Sequence, residues 1–315
     1  MTKLRILFSG GGGVGNEALW QLLGDRYECF FGDADPTAVD PVIPAERVFR
    51  LPFANDPTFP DQIASLAGDL GLNLFVPGVD EELYRLKEIA ALRPDLTLLA
   101  PPDAFIRSML DKAEMARCLA SKGLAVPVTM AAEDRDDLAF PYILKPRSGR
   151  GSRAVRKVTG EDEARAHLIL EAGAGPFIAQ EALEGTEFTV CMAADRAGVL
   201  KAIVPVEVGM KKGVTIRARC HDVAAVRSAC QIIHAAWPVG GCYNIQGMLS
   251  PDRGFLPFEI NPRISTTFCL VIKAGVDPIA LFFGNGLDDG TTTGDGSLAP
   301  FSPVTLKRHM TNHFQ

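Results

Sequence analysis

No CxxC pair, no long basic run and no long apolar stretch occur in this chain of 315 residues. The seven cysteines (Cys29, Cys118, Cys191, Cys220, Cys230, Cys242 and Cys269) are scattered and odd in number. That excludes a fully paired disulfide framework and points to reduced thiols in a cytoplasm. The formal net charge is −6, so a basic face for nucleic acid is not expected. No segment approaches the roughly 18 apolar residues of a membrane span, so no membrane contact is expected. Ile6-Leu7-Phe8 is too short for the core of a secretion signal. No internal repeat is visible. What remains, 47% apolar and 22% charged residues, is an ordinary soluble composition for two or three structural units.

The first hundred residues alternate strand and helix patterns, which implies a parallel α/β sheet. Strands are expected at 4–8, 28–33, 73–77 and 96–99, with helices at about 16–23 and 80–92. A helix over about 104–123 follows, with Lys112 inside it. The region 126–178 holds a strand ending at Lys145, a polar Gly loop and a helix over about 161–172. From residue 178 strands dominate, with one helix at about 223–237 carrying His234 on its surface. Residues 288–296 read as an exposed loop and the last dozen as a tail. His221, His309 and His313 fit no catalytic pattern.

The most telling string is Phe258-Glu259-Ile260-Asn261-Pro262-Arg263. On an extended strand, side chains alternate faces, so Glu259, Asn261 and Arg263 share one face. A carboxylate and a carboxamide suit Mg²⁺, and a guanidinium suits phosphate or carboxylate oxygens. Residues 242–249 form a second strand, and Ser250-Pro251-Asp252-Arg253-Gly254 is rich in turn formers. Pairing Ser250 with Phe255 sets Gln246 opposite Glu259, close enough to share a metal.

Gly10, Gly12 and Gly15 satisfy GxGxxG between a strand and a helix, and Asp33 and Asp35 lie where a ribose-binding acid would follow. This supports an NAD(P)-dependent oxidoreductase as one hypothesis. Two others remain: glycines that only close a tight turn, or a helix N-terminus for a substrate anion around Gly12 and Gly13.

Further on, Lys145 precedes Arg147-Ser148-Gly149-Arg150-Gly151-Ser152-Arg153, small residues whose backbone N–H groups suit phosphates. It lacks the GxxxxGK[ST] spacing of a P-loop. Residues 177–190 read as strand, turn and strand. Backbone groups between Glu181 and Leu183 suit an adenine edge, and Glu187 suits ribose hydroxyls. Arg217 and Arg219, after Lys211-Lys212, are candidates for a substrate carboxylate, against the plainer reading of a charged strand face.

The order Lys112, Lys145 with its Gly loop, Gln180 to Glu187, Gln246 and Glu259-Ile260-Asn261-Pro262-Arg263 resembles the ATP-grasp superfamily over roughly residues 1–285. The string Tyr243 to Met248 with Phe258 to Ser265 is similar to the ATP-binding halves of the carbamoyl phosphate synthase large subunit and to PylC-type carboxylate–amine ligases. The resemblance implies an α/β fold. A Rossmann-like pre-ATP-grasp domain would span 1–102, and a two-lobed ATP-grasp domain 103–315, with a lid at about 126–178 and a metal-binding lobe at about 179–300. It implies that Lys112 and Lys145 contact ATP phosphates under a lid of Ser148, Gly149, Gly151 and Ser152. Gln180, Glu181 and Leu183 would surround adenine, and Glu187 the ribose. Gln246, Glu259 and Asn261 would hold Mg²⁺, two ions by the family pattern, with Mn²⁺ as a substitute. Arg263 and Asn261 would act on the transferring phosphoryl group. Homodimerisation through the N-terminal unit also follows from the family.

The expected activity is ADP-forming ligation of a small-molecule carboxylate to an amine through an acyl phosphate. A non-catalytic ATP-binding module is the other alternative. Two departures stand out. Gln246 occupies a position where many relatives carry an acid, and Thr266 stands where the synthase has a further arginine. There is one ATP-grasp unit, so complete carbamoyl phosphate synthesis is not expected.

Overall fold

The computed structural model describes residues 3–284 and 297–309. The expected loop at 288–296, the end of the chain and His313 lie outside the described residues.

The N-terminal unit is a parallel sheet. Its strands are β1 (Arg5–Ser9), β2 (Glu28–Asp33), β3 (Val48–Arg50), β4 (Leu74–Val76) and β5 (Thr97–Leu98), in the order β3-β2-β1-β4-β5. The helices are α1 (Asn16–Leu23), α2 (Phe59–Leu70), α3 (Asp80–Leu83) and α4 (Leu86–Leu92). Near-continuous apolar runs such as Ile6-Leu7-Phe8 are buried on both faces, as a covered parallel sheet requires. Strand order reverses between β1 and β4. The carboxyl ends of strands at such a switch point leave a crevice. The helix expected over 80–92 is broken at Tyr84-Arg85, giving α3 and α4.

The expected helix over 104–123 is also two helices, α5 (Asp103–Leu110) and α6 (Lys112–Ser121). Asp111 between them is extended (φ −90°, ψ 107°), and its carboxylate accepts the N–H groups of Ala113 and Glu114 at 3.1 Å each. Asp is among the residues that satisfy the orphan donors of a helix start. Lys112 is therefore the first residue of a new helix, and its N–H donates to the Arg147 carbonyl at 2.9 Å.

Four strands, β6 (Thr129–Ala131), β7 (Tyr142–Pro146), β8 (Arg156–Val158) and β9 (Phe177–Glu181), form a small antiparallel sheet ordered β6-β9-β7-β8, with α7 (Glu161–Leu170) beside it. The remaining chain builds a six-stranded antiparallel sheet, β14-β13-β10-β11-β12-β15. It comprises β10 (Thr186–Ala194), β11 (Leu200–Lys212), β12 (Val214–Cys220), β13 (Gly241–Ser250), β14 (Gly254–Asn261) and β15 (Val304–Lys307). One face, with Val190, Met192 and Ile245, packs on α5, α6 and α8 (Ala224–Ala236). The other, with Cys191, Val204 and Ala218, packs against the N-terminal unit together with α9 (Phe268–Lys273) and α10 (Pro278–Phe283).

Three expectations are corrected here. The tail begins as β15, an edge strand paired with β12 from Arg217↔Lys307 to Cys220↔Val304. His234 is not on a helix surface but buried, bonded to the Tyr243 hydroxyl at 2.8 Å and the Gly198 carbonyl at 3.0 Å. The β13–β14 hairpin turns one residue earlier than expected, with Ser250 opposite Gly254. An irregularity at Phe258 then restores Gln246↔Glu259. A bulge of this kind sets two residues against one. Without it Glu259 would lie opposite Ile245, on the face that packs into the apolar core. The bulge therefore decides that the acid faces the cleft.

Candidate active site

Two clefts converge on the β13–β14 hairpin. The first, of about 320 Å³, lies between the small sheet and the end of the large one. Ile143, Val155, Met248 and Phe258 supply apolar walls, and the segment Glu181 to Leu183 forms a rim. This suits a flat, weakly polar ring. The N–H of Glu181 is already spent on the Val128 carbonyl at 2.9 Å. Leu183 lies past the end of β9, and its N–H has no partner among the described residues. The Glu181 carboxylate is paired with Arg253 from the hairpin tip.

Three lysines surround the inner end of this cleft. Lys145 is buried, with Nζ donating to Gln180 Oε1 at 2.9 Å and to the Phe258 carbonyl at 3.2 Å. The carbonyl it reaches belongs to the bulged residue. Burial lowers its pKa from 10.5 to about 8, against the opposing pull of Glu259, with Lys112 and Lys211 adding to the fall. Gln180 holds Lys145 in place and is itself oriented by donating to Thr129 Oγ1 at 2.8 Å. Lys112 Nζ donates to the Gly149 carbonyl at 2.9 Å and lies 3.3 Å from Glu259 Oε1. Lys211 Nζ lies 3.0 Å from Glu187 Oε1 and 3.3 Å from Gln246 Oε1.

The second cleft, of about 440 Å³, opens toward the carboxyl ends of β1 and β4. Its lining includes Thr189, Gln246, Glu259, Asn261 and Arg263 on one side and Gly10, Gly13, Asp33 and Glu82 on the other. Arg150, Ser152, Lys211 and Glu259 line both clefts. The two spaces therefore meet at one carboxylate ringed by cations.

Arg263 is not on the strand with Glu259. β14 ends at Asn261, and the Arg263 N–H turns back to the Asn261 carbonyl at 2.8 Å. Its guanidinium still reaches the second cleft, held by Asp80 at 2.5 Å and by its donation to the Ile264 carbonyl at 2.8 Å. Asn244 Nδ2 fixes the Arg263 carbonyl at 2.5 Å.

The oxygens of Gln246, Glu259 and Asn261 suit a hard divalent cation completed by water and phosphate oxygens. Lysine ammonium groups already stand on two of these oxygens, at Glu259 and Gln246. A cation is thus electrostatically favoured at the spot. Among the described residues no cluster of three or more His, Cys, Asp or Glu side chains could hold a metal by itself. The donor set fits an ion carried in with phosphates better than a resident metal.

The Gly-rich turn after β1 keeps its amides to itself. The N–H of Gly11 goes to the Gly32 carbonyl at 2.9 Å and that of Gly13 to the Gly10 carbonyl at 2.8 Å. Gly12 donates to Asp33 Oδ2 at 2.9 Å, and Gly15 to Glu17 Oε2 at 2.8 Å. The Asp33 carboxylate that would bind a ribose is consumed by Gly12 and, at 3.0 Å, by the Asp35 N–H. A carboxylate from α1 itself fills the helix start where a pyrophosphate would sit. The turn therefore argues against the dinucleotide reading. A Cβ on Gly12 would meet the Ala38 Cβ at 2.7 Å, so glycine is required there for packing.

Of the residues expected at the site, Ser148 and Gly12 line neither cleft, whereas Gly149, Gly151, Ser152 and Gly13 line one or both. Arg217 and Arg219 are not brought to it. The register of β11 with β12 shifts between Met210↔Arg217 and Lys211↔Thr215. That irregularity sends Thr215 into the second cleft and leaves both arginines exposed elsewhere. Lys211 belongs to the segment expected to bind substrate, whereas Asp80 and Glu82 were not singled out from the sequence. Asp80 lies 183 residues before its partner Arg263, and only the topology joins them.

No helix among the described residues is long and apolar enough to cross a membrane. The fold resembles several solved structures. Pyruvate carboxylase of Rhizobium etli matches with a TM-score of 0.65 and 14% identity over 89% of this chain, which spans only 28% of that one. The biotin carboxylase domain dimer of the Hydrogenobacter thermophilus 2-oxoglutarate carboxylase, solved with Mg-ADP, ADP and bicarbonate, matches with 0.65 and 14% identity over 91% of this chain and 71% of that one. The L-amino acid ligase of Bacillus licheniformis matches with 0.63 and 16% identity, over 88% and 72%. These likenesses concern the fold. The family model of the ATP-grasp domain matches residues 109–267, half of the chain, from the end of α5 through the β13–β14 hairpin to the start of α9. With that match spanning both clefts, this protein belongs to the ATP-grasp family.

Proposed function

We propose that the chain is an ADP-forming ligase that activates a small carboxylate as an acyl phosphate and passes the acyl group to an amine. The observation that carries the reading is the junction of two clefts at Glu259, ringed by Lys112, Lys211 and Arg150. ATP would lie in the first cleft, its base between Ile143, Val155, Met248 and Phe258, its edge on the Leu183 N–H and its ribose near Glu187. Lys145 and Lys112 would draw the phosphates inward, and the loop 148–152 would cover them. Gln246, Glu259 and Asn261 would hold Mg²⁺, which when bound neutralises phosphate oxygens during transfer.

The chain's own task is positioning and charge neutralisation. Lys112, which now stands on Glu259, would turn to a phosphate oxygen and so free the Glu259 carboxylate to hold Mg²⁺. Arg263, aimed by Asp80, would hold the carboxylate that attacks the γ-phosphorus and then the acyl phosphate. Among the described residues the Gly turn, with the N–H groups of Gly11, Gly12, Gly13 and Gly15 bonded internally, offers no free amide set to a pyrophosphate. The oxidoreductase alternative is therefore set aside. We also propose that residues 1–102 and 103–315 act as the acceptor-side and nucleotide-side domains. All seven cysteines are free, including Cys191 and Cys242 with sulfurs 3.8 Å apart, which supports a reducing, cytoplasmic setting.

The test is ADP release over a panel of amino acids and small carboxylic acids, each paired with simple amines. Mg-ATP should raise the melting temperature of the wild type. Glu259→Ala should keep the fold and lose turnover. Full turnover in that variant sinks the assignment of the junction.

A further inference from the structure

We infer that the second cleft receives a primary amine as its ammonium ion, and that Glu82 takes a proton from it before attack. This rests on the ligase reading and names the acceptor and its base.

Glu82 is 5% exposed, lines the second cleft, and comes from α3 beside the crevice between β1 and β4. Three donors converge on one of its oxygens. Oε2 accepts from Ser9 Oγ at 2.5 Å and from the N–H groups of Gly78 and Val79 at 3.2 Å each. Among the described residues no donor reaches Oε1, which is the oxygen left for the cleft. The turn that aims it passes close to β1 and requires glycine, because a Cβ on Gly78 would lie 2.2 Å from the Ser9 carbonyl oxygen.

A buried carboxyl with one oxygen locked and one free is a proton acceptor waiting for a cationic partner. Burial is the main cause that raises its pKa from 4.5 to about 7, partly offset by the Ser9, Val79 and Gly78 bonds and by Arg263. The other charged groups around it are Asp80 and Glu81 on its own helix, Asp33 at the end of β2, Arg150 from the loop and Arg263. Asp80 is occupied by Arg263, and Asp33 by backbone N–H groups. Glu82 is thus the carboxylate free to meet an ammonium near Arg263. The wall formed by Val14, Leu51, Pro52 and Phe53, the last 72% exposed, suits an apolar substituent on that amine.

The step balances. The ammonium gives one proton to Glu82, leaving a neutral amine. Its nitrogen bonds to the acyl carbon, and the bond from that carbon to the phosphate oxygen breaks. The second N–H proton leaves with the departing phosphate, and Glu82 returns its proton to water.

The test uses n-butylamine as probe, with n-butanol as its uncharged counterpart, titrated calorimetrically into the Mg-ATP-competent protein. The amine should bind the wild type, bind Glu82→Gln at least about ten-fold more weakly, and outcompete the alcohol. In the wild type alone, affinity should fall about ten-fold from pH 8 to pH 6, as a carboxyl of pKa near 7 becomes protonated. Equal binding to both proteins, a flat pH response or no amine binding overturns the inference. In turnover with the fastest acid of the panel, hydroxylamine, uncharged at neutral pH, should still form a hydroxamate in Glu82→Gln while n-butylamine fails. Equal loss of both assigns Glu82 a structural role and overturns its role as base. Mg-ATP stabilisation without amine binding defeats this inference alone. Amine binding without any response to Mg-ATP defeats the ligase reading instead.

Discussion

Glu82 ties a measurable part of the protein's stability to pH. Its carboxyl is protonated in the folded chain up to about pH 7, where an unfolded chain has released the proton near 4.5. The folded state binds more protons between those limits. The stability this group supplies is complete below about 4.5 and is lost as pH rises through about 7. The interval from 4.5 to about 7 corresponds to about 3 to 4 kcal/mol at about 1.4 kcal/mol per pH unit. For a chain of this size that is on the order of 5 °C in melting temperature if it unfolds as one unit. Glu82→Gln removes the proton exchange while keeping the shape and one acceptor oxygen for Ser9, Gly78 and Val79. Melting curves of both proteins from pH 4.5 to 8 isolate the effect, because every other titrating group is common to them. The wild type should lose about 3 kcal/mol more than the variant across that range. Parallel pH profiles would refute the reasoning, since they would mean that Glu82 is ionised in the fold as readily as in water.

Other perturbations follow the same logic. Asp111→Ala removes the cap that starts α6 and should cost about 1 kcal/mol in urea unfolding, and it also releases Arg147, which Asp111 holds at 2.7 Å. Lys145→Met should weaken Mg-ATP stabilisation. It should also remove the contribution of Lys145 itself, a gain in stability as pH rises from about 8 to 10.5, where the unfolded chain still holds the lysine proton and the folded one does not, read as the difference between the two proteins' melting profiles. The double variant Arg217→Ala/Arg219→Ala should leave ADP release within about two-fold of wild type, since surface substitutions away from a site have small effects; a deep loss in steady-state assays would place those arginines in the reaction after all.

The parallel sheet and the hairpin that carries Gln246 and Glu259 were legible in the sequence because each is local. Ile6-Leu7-Phe8 before a Gly turn marks a buried strand, and the turn formers at 250–254 mark a hairpin that sets residues 242–249 beside 255–260. The compensation between a tighter turn and a bulge at Phe258 was not legible, because alternation alone does not say where a strand skips a residue. The same blindness put Arg217 and Arg219 at the site, since an irregularity between β11 and β12 turns them away. The GxGxxG string announces a strand-to-helix turn but not what its amides bind. Here Glu17 and Asp33, both nearby in sequence, answer that question. The pairing of Asp80 with Arg263 joins residues 183 positions apart, and no pattern of spacing reports a contact that depends on how two sheets stack.

The irregularity at Phe258 also bears on how this hairpin can vary among related chains. It divides the ribbon into a tip, 247–257, and a base, 244–246 with 259–261, each with its own register. Residues gained or lost in pairs at the tip would leave the base in frame, at the cost of the contact between Arg253 and Glu181. A single residue lost at the irregularity itself would remove the bulge and keep Glu259 opposite Gln246, but it would withdraw the Phe258 carbonyl that holds Lys145. Length variation should therefore be tolerated at the end of the ribbon, while a loss at its middle disturbs the lysine rather than the acid.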